Sequence, residues 1–107
     1  MATDERRKAP RVTVPFEGGW EGASGRRPCR IADLSTGGCF VETLNPPAVG
    51  ETVKVTVALP DGHLLVAVTE VTYTFPSMGF GARFLELPNG DHQVLADNLD
   101  RLLPESR

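Results

Sequence analysis

The chain has 107 residues, 40% of them hydrophobic, and carries eleven Lys/Arg against fourteen Asp/Glu, for a net charge of −3. That is enough chain for one domain around one modest core. With no apolar run of membrane-spanning length, no apolar stretch after the charged start, and two cysteines (Cys29, Cys39) without CxxC spacing or a histidine cluster, the expectation is a cytoplasmic protein. It would have no membrane insertion, no secretion signal, no disulfide framework and no metal site.

The charge is uneven. Residues 1–30 hold seven Lys/Arg and four Asp/Glu, whereas residues 31–107 hold four and ten, so a cationic N-terminal third precedes an acidic body. Four of the cations fall in RRKAPR, residues 6–11. Pro10 lacks the N–H that a helix interior needs and disfavours helix at Ala9, so residues 1–11 are read as a flexible basic arm. In an extended arm Arg7 and Arg11 would sit roughly 13 Å apart at Cα, close enough for two guanidinium groups to converge on one compact anion. A solvated tail without a ligand is the plainer reading of the same charges.

Residues 11–107 read as one domain, nearly all strand. The first strand is expected at 11–17, where Val12, Val14 and Phe16 alternate with Thr13 and Pro15, and Pro15 places it at an edge. Residues 18–28 read as a glycine-rich loop with a second basic pair, Arg26 and Arg27, taken as solvated charges. Trp20 within it is either a core plug or an exposed platform for a base or a partner. Five further strands are expected at 29–31, 39–43, 53–59, 64–75 and 80–85. The separating turns fall at 35–38, 45–50, 61–62 and 76–79, with Pro60-Asp61-Gly62 as a hairpin turn between the fourth and fifth strands. Cys29 and Cys39 become core thiols on strands.

Helical spacing appears only at the end, where Leu95, Leu99, Leu102 and Leu103 mark one face of a helix at about residues 90–103. Asn89 or Asp91 would cap it, Asp97 and Arg101 would pair one turn apart, and Pro104 would stop it. Six short strands followed by one amphipathic helix argue for a small β-barrel or tightly closed sheet, with the helix over an open edge or end.

Between the second and third strands, IADLSTGGCFVET (residues 31–43) places Asp33, Ser35, Gly37 and Gly38 between two apolar runs. With the backbone extended from Asp33 to Ser35, the two side chains would leave one face, and Gly38 would permit a positive φ or close approach of backbone to a ligand. Ordinary turn chemistry accounts for the same residues, since Asp and Ser bond nearby N–H groups.

Taken together, Arg7-x-x-x-Arg11 and Asp33-x-Ser35-x-x-Gly38 resemble the RxxxR and [DN]xSxxG motifs of the PilZ domain family. Gly79-Phe80-Gly81-Ala82-Arg83-Phe84 looks like the glycine-rich segment that leads into that family's last strand, and the resemblance spans nearly the whole chain. It implies a mainly β fold, a six-stranded antiparallel β-barrel with a C-terminal α-helix, that binds the second messenger cyclic di-GMP as a ligand and uses no cofactor. It also implies ligand contacts from Arg7, Arg11, Asp33, Ser35 and Gly38, with Arg6 and Gly37 as additional contacts.

The chemistry suits two phosphates and two guanines: an Arg fork can bond a phosphate, pair with guanine O6 and N7, or stack on a base, and a carboxylate can accept from the guanine amino group. The expected output is a change in arm position relayed to a protein effector, and a homodimer is compatible with it. The alternative is a PilZ-like interaction module that binds no nucleotide and docks on a motor, secretion or regulatory partner. An enzyme is not expected, because His63 and His92, read as surface residues, lie in no catalytic constellation. Nucleic acid ranks third as a ligand, with a pI of about 5.3 and aromatics at 7% of residues.

Overall fold

A computed structural model describes residues 12–102 apart from positions 14 and 24, so the arm with Arg6, Arg7 and Arg11 lies outside the described residues. Six strands, β1 (Phe16–Gly22), β2 (Gly25–Leu34), β3 (Gly38–Glu42), β4 (Thr52–Ala58), β5 (Leu64–Phe75) and β6 (Gly79–Glu86), precede one helix, α1 (Asp91–Leu102). All neighbours pair antiparallel, and the order β1-β2-β3-β6-β5-β4 closes into a barrel.

Alternation in the sequence sets which residues fill it. In β4, Val53, Val55 and Val57 point inward while Lys54 and Thr56 point out, and β5 contributes Leu65, Ala67, Thr69 and Val71 to the same interior. Thr69 is tolerated there because its hydroxyl donates to the Val53 carbonyl at 2.9 Å. Ile31, Leu34, Val41 and Phe80 are fully buried, and each such side chain contributes roughly 1.5–3 kcal/mol.

The expected strand at 11–17 is corrected. Val12 forms an isolated bridge with Leu34, and β1 proper starts at Phe16, after Pro15. The expected loop at 18–28 is also corrected: it is the β1–β2 hairpin, turning between Gly22 and Gly25. Trp20 organises this hairpin as a core plug, 3% exposed and edge-on to Phe80 at 5.4 Å between ring centroids. Pro28 is accommodated because β2 has only β1 beside it there, β3 joining at Arg30. Cys39 is buried on β3, and Cys29, half-buried on β2, has its thiol pushed up to about 11 by burial and then by Glu42, so it stays protonated and inert.

Helix α1 closes one end of the barrel with Leu95 and Leu99, and Leu102 packs beside them. Polar bonds latch it to the β4–β5 turn. Asn98 accepts from the Asp61 N–H at 3.2 Å and donates to Asp61 Oδ2 at 3.1 Å, while His63 Nε2 meets Asp91 Oδ2 at 3.1 Å. Asp91 is therefore a buried partner of His63, and His63 is half-buried in the latch, whereas His92 is exposed as expected. Asp97 takes a bond from Gln93 one turn back at 2.9 Å, and the expected Asp97–Arg101 pair is absent among the described ion pairs.

Candidate functional site

Strand β2 runs toward the conspicuous turn and bulges between Ile31 and Asp33, so that Asp33 comes opposite Phe40 and Leu34 opposite Cys39. Leu34 points into the core, which leaves Asp33, half-buried, on the outer side of the strand.

Ser35 and Gly38 bind the turn to itself. The Ser35 N–H donates to the Gly38 carbonyl at 2.9 Å, the Ser35 hydroxyl donates to the same oxygen at 3.3 Å, and the Gly37 N–H donates to Ser35 Oγ at 3.2 Å. Phe84 of β6 adds an N–H bond to the Gly37 carbonyl at 2.9 Å. Ser35, 3% exposed, thus uses its hydroxyl within the turn as both donor and acceptor. Gly38 is required by the close approach of the protein's own backbone: a Cβ there would collide with the Ala82 carbonyl of β6. Gly37 is exposed with open space around it.

The chain that follows the arm is fixed next to this turn. Val12 and Leu34 exchange two backbone bonds, Val12 N–H to Leu34 O at 2.8 Å and Leu34 N–H to Val12 O at 3.0 Å. The RxxxR segment therefore ends one residue before an anchor that is itself one residue from Ser35.

Register extends the site across the barrel wall. Asp33 pairs with Phe40, Phe40 with Gly81, and Gly81 with Tyr73, a single row over β2, β3, β6 and β5. The Phe40 and Tyr73 rings stack at 6.1 Å with an angle of 27°. Phe75 extends the cluster, 5.5 Å from Tyr73 and 6.4 Å from Phe40, and is half exposed. In the adjacent row Arg83 lies opposite Gly38 and is held by an ion pair to Glu70. Sequence reasoning did not single out Phe40, Tyr73 or Arg83 as site residues. The available signal was parity: Phe40 lies between inward Cys39 and Val41, so an aromatic ring had to face outward.

The PilZ domain family model matches residues 5–101, a span that includes both motifs. No curated protein matches the sequence. Among solved structures, the chain superposes on the Bacillus subtilis inhibitor of motility (MotI/DgrA) with a TM-score of 0.81 at 18% identity, over 95% of this chain and 54% of that one. It thus spans about half of that protein. The PilZ domain of CeSA from a cellulose-synthesizing bacterium superposes with a TM-score of 0.61 at 20% identity, over 83% of this chain and 92% of that one. At these identities the two structures speak for the fold, which agrees with the closed six-stranded barrel and terminal helix found here. Barrel, motif order and family match converge on one assignment: the chain belongs to the PilZ domain family.

Proposed function

We propose that the chain is a cyclic di-GMP receptor without catalytic activity, and that the ligand is held between the arginines of the arm and the outer face beside Asp33. The observation that carries this reading is the Val12–Leu34 bridge, which holds the residue that follows the RxxxR segment to the end of the strand that carries Asp33, one residue before Ser35. In this reading the two motifs, distant in sequence, converge there, and convergent arginines can surround a dianion.

In this reading Arg7 and Arg11 take phosphate or guanine edges, with Arg6 beside them, and the Asp33 carboxylate accepts from a guanine amino group. Ser35 and Gly38 shape the turn, and Gly37, which is exposed, offers backbone to the ligand. The stacked Phe40 and Tyr73 rings give a flat apolar surface next to Asp33 on which a base can lie. Binding reorders the arm, and that change is read by a protein partner, to the extent that the ligand favours one arm state over the other.

Calorimetric titration with cyclic di-GMP, using cyclic di-AMP and GTP as controls, tests the reading. Saturable heat with the guanine messenger alone supports it. A second reading, a PilZ-fold interaction module that binds no nucleotide, draws on the Ser35 hydroxyl being used within its own turn and on the inhibitor-of-motility fold likeness. Absence of heat with all three nucleotides would favour that module.

A further inference from the structure

The wall of the barrel formed by β2, β1, β4 and β5 carries a second organised surface. Register places Pro28, Gly19, Thr56 and Val66 in one row across these four strands. Gly19 has no side chain to project between Pro28 and Thr56, so the row dips into a groove of about 560 Å³ with a mainly apolar floor. The next row on the same face is Arg26, Glu21 and Lys54, and Arg27 completes the rim.

Charge distinguishes this groove from the rest of the body. The described residues include six Lys/Arg, and four of them, Arg26, Arg27, Arg30 and Lys54, lie on or beside this wall. Glu21 offsets them weakly, since its contact with Arg26 is 3.8 Å long and the Arg26 side chain is 81% exposed. Over the row through Gly19 and Thr56 the strands are paired on both sides, so recognition on this face uses side chains.

We infer that this groove docks an acidic segment of the partner protein, with apolar side chains over Thr56 and Val66 and carboxylates on Arg26, Arg27 and Lys54. The inference deepens the partner side of the proposed function and does not depend on cyclic di-GMP binding.

The test is fluorescence anisotropy with a fluorescein-labelled peptide of alternating Glu and Val, closed by prolines, with and without cyclic di-GMP. A Lys-Val peptide and a single-stranded oligothymidylate serve as comparison probes. The Glu-Val peptide should bind the full chain in both conditions and weaken as salt rises. Combined Arg26→Glu and Arg27→Glu should lower its affinity at least roughly tenfold, and Val66→Asn about threefold, with circular dichroism unchanged. Failure of the parent to bind, equal binding by the charge-reversed variant, or equal binding of the Lys-Val peptide would overturn the proposal. Tighter binding of oligothymidylate would reassign the groove to nucleic acid. Sedimentation showing self-association that the charge reversal abolishes would make a second copy of the chain the occupant.

Discussion

Tyr73 lies directly over Gly81, its ring occupying the space where a Cβ of residue 81 would stand. The glycine lets the ring lie flat against the sheet beside Phe40, and the ring in turn covers backbone that glycine leaves open. Gly81→Ala should push the Tyr73 ring outward. Since Tyr73 is 44% exposed and can swing away, stability should fall by less than about 1.5 kcal/mol. Affinity for cyclic di-GMP should fall by about 1 kcal/mol as the flat surface breaks up. The aromatic NMR signals of Tyr73, the chain's one tyrosine, report the displacement, and calorimetry reports the affinity.

Gly37 and Gly38, adjacent in sequence, should respond oppositely to a methyl group. Gly38→Ala meets the Ala82 carbonyl and must spread β3 from β6, at a cost of about 1–3 kcal/mol. Gly37→Ala enters open space and should change stability by less than about 0.5 kcal/mol. Urea unfolding of both variants makes the comparison.

Asp33→Ala should weaken cyclic di-GMP binding by roughly 1.5–3 kcal/mol, the range for a hydrogen bond to a charged group. The strand-rich circular dichroism spectrum should persist, because Ser35, Gly37 and Gly38 close the turn with their own hydrogen bonds. Collapse of the spectrum would make Asp33 a structural residue of the bulge.

The latch between Asp61 and α1 should be acid-sensitive. The His63 N–H and then the Asn98 amide hold the Asp61 carboxyl below its ordinary value of 3.8. A carboxylate whose folded value is lowered contributes stability above its unfolded value and loses it as pH falls through the folded one. Parent and Asp61→Asn should therefore differ in thermal stability near neutrality and converge in acid below the ordinary carboxylate range. Parallel pH curves would show that Asp61 ionisation does not support the latch.

The fold was legible where alternation was clean. Alternation predicts the fifth strand at 64–75, and the strand is Leu64–Phe75, because Leu65, Ala67, Thr69 and Val71 keep strict period two. The β1–β2 hairpin is not legible in the sequence because Gly18, Gly19, Gly22 and Gly25 read as loop by local preference. What overrides that preference is pairing of β1 with both β2 and β4 around the buried Trp20. In the site, the types and order of Asp33, Ser35 and Gly38 were readable. That the Ser35 hydroxyl turns inward was not, since the spacing alone does not say whether a serine bonds its own turn or a ligand. The aromatic row was hidden for another reason: Phe40, Gly81 and Tyr73 become neighbours only through strand register.

The most direct test of the account is the dissociation constant for cyclic di-GMP of Arg7→Lys, Arg11→Lys and Lys8→Ala, each measured by calorimetry at two salt concentrations. A forked or stacked guanidinium cannot be replaced by an ammonium, so each lysine variant should lose roughly 1–3 kcal/mol at both salts. Lys8→Ala, which removes a charge outside the motif, should lose less, and its deficit should shrink as salt rises. Lysine variants that bind like the parent, with Lys8→Ala equally or more damaged, would contradict the account and reduce the arm to a diffuse positive charge.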